Sequence, residues 1–505
     1  MMQEKTDAAA RLARLTAQAR VDLALMSYPN RAWVKPLATR LSPVYDVVVV
    51  GAGQAGLATL LALWREGVNN VLVLDRSEPG YEGPWETYAR MQTLRTPKAS
   101  IGLESGLPSL TARAWHAARY GSEAWQQFER VPREQWMDYL RWLRHTIDLP
   151  IRNTTLAGPM SGAADGMIAI PLQGTELTQS ASETVYARHV VLATGFEGGG
   201  EWHIPAHIRE AVPATHLSHS NVPIDLTRLA GKRIGILGHG ASAFDTAAAA
   251  LAVGAKTVDI CYRRRDIPQI NPHRHLEYVG LLKHYAELDP ALRWEIAHFF
   301  DTRDQPPTQT AWDTATAYPG CRVHSSCPWD RVAFRNNAIH IGTPRGDFEF
   351  DYLVCATGSA INLAARPELS GVAEHVARWV DRYQPPPSLD HPILGLYPYL
   401  GDEYQIQERA PGAGHAWLAR VYAYNFASYV SMGPHSTSVS GHKYSIPRMI
   451  RGITRSLMFD QVDSVMPGIT AYDELELRFR DRSNDEVNSR QSGVEEASSV
   501  AQVSS

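Results

Sequence analysis

The chain has 505 residues, with 49 Lys+Arg against 53 Asp+Glu and a formal net charge of −4. The length allows three domains at about 150 residues each, and the charge lacks the basic excess of a nucleic-acid or membrane-surface protein. Cys261, Cys321, Cys327 and Cys355 are too sparse for a disulfide scaffold, and no apolar run nears the ~18 residues of a membrane span or follows a signal-peptide profile. A cytoplasmic protein from a reducing compartment is expected.

Residues 8–26 read as a helix, with Leu12, Leu15, Ala19, Leu23 and Met26 at helical spacing and Thr6 and Asp7 as candidate caps. Such an arm is expected to dock on its own domain. The β-branched run Val47-Val48-Val49-Val50 predicts a strand buried on both faces of a parallel sheet. Gly51-Ala52-Gly53-Gln54-Ala55-Gly56 follows, then a helix with Leu57, Leu60, Leu61 and Trp64, then a strand over Val71-Leu72-Val73-Leu74 ending at Asp75. Further on, Trp136, Leu140 and Leu143 share one face of a helix opened by Pro132. Trp115, Trp125, Trp136 and Trp142 read as core.

The plan repeats. Arg233-Ile234-Gly235-Ile236-Leu237 predicts a strand, Gly238-His239-Gly240-Ala241-Ser242-Ala243 a turn, 244–253 a helix and 257–262 a strand. Each copy has a similar exit, Val190-Val191-Leu192-Ala193-Thr194-Gly195 and Leu353-Val354-Cys355-Ala356-Thr357-Gly358. Short alternating strands precede each exit, at 167–187 and 331–350, with Asn336-Asn337 and Arg345-Gly346-Asp347 as turns. The stretch 301–312, with Pro306-Pro307, reads as irregular. Residues 482–505 have no period and read as a disordered tail. The expected organisation is α/β, with two Rossmann-like dinucleotide-binding domains: a helical arm over 1–43, an FAD domain over 44–225 and 356–481, and an NADPH domain over 226–355 inserted within it.

The glycines carry the chemistry. Gly51 permits the tight turn, Gly53 lets backbone approach a pyrophosphate, and Gly56 lets helix pack on strand; the helix N-terminus then faces the phosphates. Asp75, 24 residues after Gly51, is placed to accept hydrogen bonds from ribose hydroxyls. Gln54, Ala55 and Arg76 belong to the same site. In the second copy Ala243 stands for the third glycine. The same count from Gly238 reaches Tyr262, followed by Arg263, Arg264 and Arg265. Guanidinium suits a 2′-phosphate through charge-assisted bonds, so the first site predicts FAD and the second NADPH. Gly240, Ala241, Ser242 and Gly358 complete the second site. No cysteine precedes Cys261, which argues against a dithiol beside the flavin. His273-x-His275 has no further ligands at metal spacing, and no metal is expected.

Two dinucleotide folds in series, acid in the first and arginines in the second, resemble the class B flavoprotein monooxygenases over roughly 44–460. Gly83-Pro84-Trp85 resembles the glycine–tryptophan turn those families place beside the flavin. Met91-Gln92-Thr93-Leu94 and Arg95-Thr96-Pro97-Lys98 resemble the Met-Gln segment of ornithine and lysine N-hydroxylases. Tyr424-Asn425 and Gly433-Pro434-His435-Ser436 are similar to the segment that closes the flavin site. The chain departs from the class fingerprint at Pro213 and Thr215, ahead of His219-Ser220. The N-hydroxylases' substrate lysine is absent at its usual spacing, where Arg95 and Lys98 are the nearest cations. The chain also resembles the bacterial FAD-dependent urate hydroxylases.

The resemblance implies an NADPH-dependent monooxygenase. It would act through a C4a-(hydro)peroxyflavin on a small polar nitrogen compound, by N-hydroxylation of an amine or by hydroxylation of an N-heterocycle such as urate. Trp85 would lie beside the flavin, and Gln92 and Asn425 would hydrogen-bond around its ring or the retained nicotinamide. Baeyer–Villiger or sulfur/nitrogen oxidation, and electron transfer without oxygenation, stay open. The expected partners are the small substrate and O2, with no nucleic acid, no membrane span and a homo-oligomer as an open alternative.

Overall fold

A computed structural model describes residues 2–175 and 183–477, with the tail expected over 482–505 outside the described residues. Residues Met1–Leu457 form one unit and Met458–Ser505 a second. In the second, short helical turns run over Val462–Ser464 and Val465–Thr470.

The valine run forms β1, Val44–Val50. It lies between parallel neighbours β2 (Val71–Leu74) and β3 (Glu183–Leu192), and Val47, Val48 and Val49 are wholly buried, as in a central strand covered on both faces. The crossover from β1 to its parallel neighbour β2 is the helix α2, Gln54–Arg65. Antiparallel strands Ile168–Gly174 and Thr155–Ala157 extend this eight-stranded sheet beyond β3.

The second sheet has five parallel strands. At its centre β4 (Arg233–Leu237) lies between β5 (Thr257–Cys261) and β6 (Tyr352–Cys355). Strand Leu217–His219 forms one edge against β6. An antiparallel three-stranded sheet turns at Asn336 and Asn337, whose φ values of 52° and 57° are those of a two-residue hairpin turn. After β6 the chain returns to the first sheet, where Val421 and Tyr422 pair with Val190 and Val191 of β3.

The N-terminal helix α1 runs Met2–Leu25, so Thr6 and Asp7, expected as caps, lie within it. It docks as expected on its own unit. Arg11 donates to the Ala118 carbonyl, Arg20 to that of Thr146, and Trp142 Nε1 to Thr16 Oγ1 at 2.9 Å. The helix after Pro132, here α3 (Arg133–Ile147), buries Trp136, Leu140, Trp142 and Leu143. The helix of the second copy, α4 (Ala241–Ala252), starts three residues before the expected 244. The irregular stretch expected over 301–312 is shorter, because helices Pro290–Arg303 and Gln309–Thr316 enter it from both sides.

Candidate active site

The two glycine turns close on their sheets in the same way. A Cβ on Gly51, at φ +105°, would stand 2.4 Å from the Ala193 carbonyl oxygen at the first exit. One on Gly238, at φ +131°, would stand 2.4 Å from the Ala356 carbonyl oxygen at the second. In both, only glycine lets the turn touch the neighbouring strand end. Gly56 lies so close beneath its turn that a Cβ would meet the Gly51 oxygen at 1.9 Å. Gly53 faces Gly83, and a Cβ added to Gly53 would stand 3.7 Å from the Gly83 Cα, so neither side of this slot carries a side chain. Gly240 has open space, with no atom within 4 Å of an added Cβ. Neither α2 nor α4 has a side-chain cap or an acid in its first turn, so the N–H groups at Gln54, Ala55, Ala241 and Ser242 end in helix N-termini of positive potential. Gly358 follows the second exit at φ +76°.

The groups around the first turn are locked. Asp75 is buried and accepts the Ala52 N–H and the Ser77 N–H at 2.8 Å each, which fixes its carboxylate beside the glycines with lone pairs to spare. Arg76 pairs with Glu197, past the first exit, at 2.9 Å. Trp85 is buried edge-on to Trp136, 6.4 Å between centroids, and its indole N–H has no partner among the described residues. An unpaired buried donor beside an open slot fits a bound polar group. At the second site Arg263 and Arg265 are exposed, whereas Arg264 is held by Asp304 at 2.7 Å and by the Thr302 carbonyl at 2.9 Å.

Gln92 and Asn425 lie on different elements. Gln92 lines a cavity with Arg95, Arg130, Asp245, Thr310 and Tyr318. Arg95 pairs with Asp245 across it at 3.2 Å, and burial keeps the Asp245 carboxyl above the usual range despite the nearby cations. Arg90 ties this segment to the second sheet by donating to the Ser220 and Val222 carbonyls. Lys98 points elsewhere, over the Trp125 and Phe128 rings. Asn425 is fully buried. Its Nδ2 donates to the Leu192 carbonyl at 3.2 Å and to Thr194 Oγ1 at 3.1 Å, while its Oδ1 accepts the Ala427 N–H at 2.9 Å. Both its donors therefore clamp the first exit, and a single acceptor lone pair is left over.

Sequence reasoning missed His442. Trp136 Nε1 can only donate, so it fixes the Gln54 oxygen toward itself at 3.2 Å and the Gln54 amide nitrogen toward His442 Nε2 at 3.1 Å. That makes Nε2 an acceptor and leaves the proton on Nδ1, which donates to Tyr424 Oη at 2.8 Å. Tyr424 Oη shares a further hydrogen bond with Ser445 Oγ at 2.6 Å. Burial pushes His442 down to about 3, so it stays neutral. The first residue of α2 is thus anchored through a directed chain of hydrogen bonds to the far end of the sequence. Trp136, Gln54 and Tyr424 had sequence signals; His442 and Ser445 had none.

All four cysteines are free thiols and belong to strands of the second sheet or the segment just after. Burial pushes Cys321 up to about 11 and Cys355 to about 12, which leaves them poor nucleophiles. Among the described residues no group of His, Cys, Asp or Glu is placed to hold a metal, and no helix is long and apolar enough to cross a membrane.

Residues 48–197 match the family described as FAD-NAD(P)-binding. The ornithine hydroxylase of Pseudomonas aeruginosa superposes with a TM-score of 0.64 at 15% identity, covering 82% of this chain and 100% of that one. The FAD-bound cadaverine monooxygenase of Erwinia amylovora does so with 0.63 at 15%, covering 82% and 95%. Glycine turns and fold together define an FAD-NAD(P)-binding protein with the fold of these two hydroxylases. A nearer relative narrows the class: the FAD-dependent urate hydroxylase of Xanthomonas campestris pv. campestris is 40% identical over 466 residues, 92% of this chain and 97% of that protein. The chain belongs to the FAD-dependent urate hydroxylase family.

Proposed function

We propose that the protein is an NADPH-using FAD monooxygenase that hydroxylates a small polar N-heterocycle of the urate class. The overall change is substrate–H + O2 + NADPH + H⁺ → substrate–OH + NADP⁺ + H2O. The observation that carries this reading is the pair of equivalent cradles at Gly51/Ala193 and Gly238/Ala356, one beside a carboxylate and the other beside guanidiniums. Its setting in a urate hydroxylase relative supplies the substrate class. The return of the chain to the first sheet at Val421 supports an NADPH domain inserted within an FAD domain.

Bound FAD supplies hydride acceptance and activation of O2. The chain's residues bind and orient. Gly51, Gly53 and Gly56 bring backbone and the α2 N-terminus to the pyrophosphate, and Asp75 accepts from ribose hydroxyls. Trp85 offers its unpaired N–H in the slot beside Gly83. Asn425 and His442 act as positioning residues, the first on the exit turn and the second on Gln54. Gln92, with Arg95 and Thr310, presents donors and acceptors on the cavity wall where a planar polar ring would be read. The cysteines' distance in sequence, and burial that pushes the Cys321 and Cys355 thiols up, argue against electron transfer through a dithiol.

Incubation of the flavin-loaded protein with NADPH, urate and ¹⁸O₂ is expected to place one labelled atom in product. NADPH oxidation matched one-to-one by released peroxide, with unlabelled urate products, would sink the reading. Arg263→Ala is expected to raise KM for NADPH about tenfold or more, since a charge-assisted contact contributes roughly 1.5–3 kcal/mol, with KM for NADH nearly unchanged. Equal losses for both coenzymes would remove the 2′-phosphate from that strand end.

A further inference from the structure

The strand end after β5 was expected to carry guanidiniums alone, but a carboxylate reaches it from 40 residues on. Helix Pro290–Arg303 ends at Asp304, which adopts φ +61°, a left-handed value costly for any residue with a Cβ. This turn directs the side chain back over the second cradle. Asp304 Oδ2 accepts a hydrogen bond from Arg264 Nε at 2.8 Å and lies 2.7 Å from Nη2 in the same ion pair. The same oxygen lies 3.7 Å from Nε2 of His239, the residue between Gly238 and Gly240. That His239 nitrogen is buried and has no hydrogen-bond partner among the described residues. One carboxylate oxygen therefore stands between the glycine turn and the end of β5, the two elements that flank the adenosine ribose in this motif.

We propose that Asp304 is a coenzyme-specificity residue that reads the ribose 2′-position together with Arg264, so that the protein accepts NADH as well as NADPH and Asp304 sets the ratio. The proposal rests on the reading of the second cradle as the nicotinamide coenzyme site. A 2′-hydroxyl can donate to Asp304 while the Asp304–Arg264 pair stays intact. A 2′-phosphate brings negative charge against the carboxylate, and the Nε and Nη2 edge of Arg264 is already turned to Asp304 and the Thr302 carbonyl, which leaves only Nη1 to meet it. It binds only if Asp304 moves off, with Arg263, exposed and without an ion-pair partner among the described residues, as its first contact. The pair can open because both side chains are more than a third solvent-exposed, 34% and 39%, and water screens their attraction. Arginines and acid at one site thus act in opposition, and neither alone reports the preference.

Calorimetric titration of the flavin-loaded protein with 2′,5′-ADP and with 5′-AMP separates the two contributions without turnover. Asp304→Asn, which keeps shape and removes charge, is expected to tighten 2′,5′-ADP and weaken 5′-AMP. Their affinity ratio should move about tenfold toward the phosphate, the size of one charge-assisted hydrogen bond. The ratio of kcat/KM for NADPH over NADH is expected to follow. Asp304→Ser provides a second charge-free variant should the first lose its fold by circular dichroism. Unchanged affinities in both Asp304 variants, with 2′,5′-ADP weakened by Arg263→Ala, would overturn the role of Asp304 and leave the coenzyme site standing. If Arg263→Ala and the Asp304 variants all leave both ligands unaffected, the coenzyme reading itself falls.

Discussion

Gly56→Ala is expected to destroy flavin retention and to destabilise the first unit by at least about 3 kcal/mol, the cost of forcing atoms into a packed core. The added methyl carbon would stand 1.9 Å from the Gly51 oxygen and 3.0 Å from its carbonyl carbon, both backbone atoms that no rotamer change can move aside. Relief would require lifting the turn from α2. The turn cannot lift freely, because Gly51 is itself pressed onto the Ala193 carbonyl and its N–H is bonded to the Leu74 carbonyl at 2.7 Å. Displacing the turn would also pull the Ala52 N–H from Asp75, leaving a buried carboxylate short of a donor. Gly240→Ala is the internal control. Its φ of −72° suits alanine and nothing lies within 4 Å of the new Cβ, so folding and flavin content are expected to stay at wild-type levels. Flavin absorbance after desalting and the thermal midpoint check both. A flavin-replete Gly56→Ala protein with an unchanged midpoint would refute the packing argument.

Those glycines were legible because their role is local: each stands where its own backbone must meet a strand or a phosphate, and spacing along the chain encodes that. The strands β1 and β2 were legible for the same reason, since strands covered on both faces leave continuous apolar runs, and β4 and β5 were legible from their place around the second glycine turn. The hairpin at Asn336-Asn337 carries its φ values in its residue types. What could not be read depends on contacts across long stretches of chain. Asp304 meets Arg264 only because a helix ends 40 residues later and Asp304, just past its end, takes a φ of +61°. His442 meets Gln54 across 388 residues, and nothing in its neighbourhood distinguishes it from an ordinary helical histidine. Asn425 was legible as a polar residue near the flavin segment, but its donors go to the chain's own exit turn. A sequence pattern names the groups present; the tertiary fold decides which of their hydrogen bonds remain free.

Acidification is expected to unfold this protein steeply below pH 6.5, and His442 is the group that tests why. Burial pushes His442 down to about 3, from an ordinary 6.5, and its two nitrogens are engaged as one acceptor and one donor, so a second proton would break the bond from Gln54. His273 is likewise held down to about 3, by burial and then by His435 and Arg274. His219, stacked on Trp202, is held to about 4, chiefly by burial, with His203 and Arg90 adding to it. In each case the folded value lies below the unfolded one, so the unfolded chain takes up the proton first. Stability is therefore complete above about pH 6.5 and falls as pH drops toward 4. At about 1.4 kcal/mol per pH unit, each histidine removes about 2 kcal/mol by pH 5. Three together reach about 6 kcal/mol, a large part of the roughly 5–15 kcal/mol that holds a domain folded. His442→Gln preserves the geometry of acceptor and donor without a titrating group. Its urea midpoint at pH 7.5 is expected to sit slightly below wild type, for lost ring packing, while the drop between pH 7.5 and pH 5 shrinks by about a third. The same drop in variant and wild type would show that His442 is not held neutral by the fold, and with it the proton order along Trp136, Gln54, His442 and Tyr424 would fail.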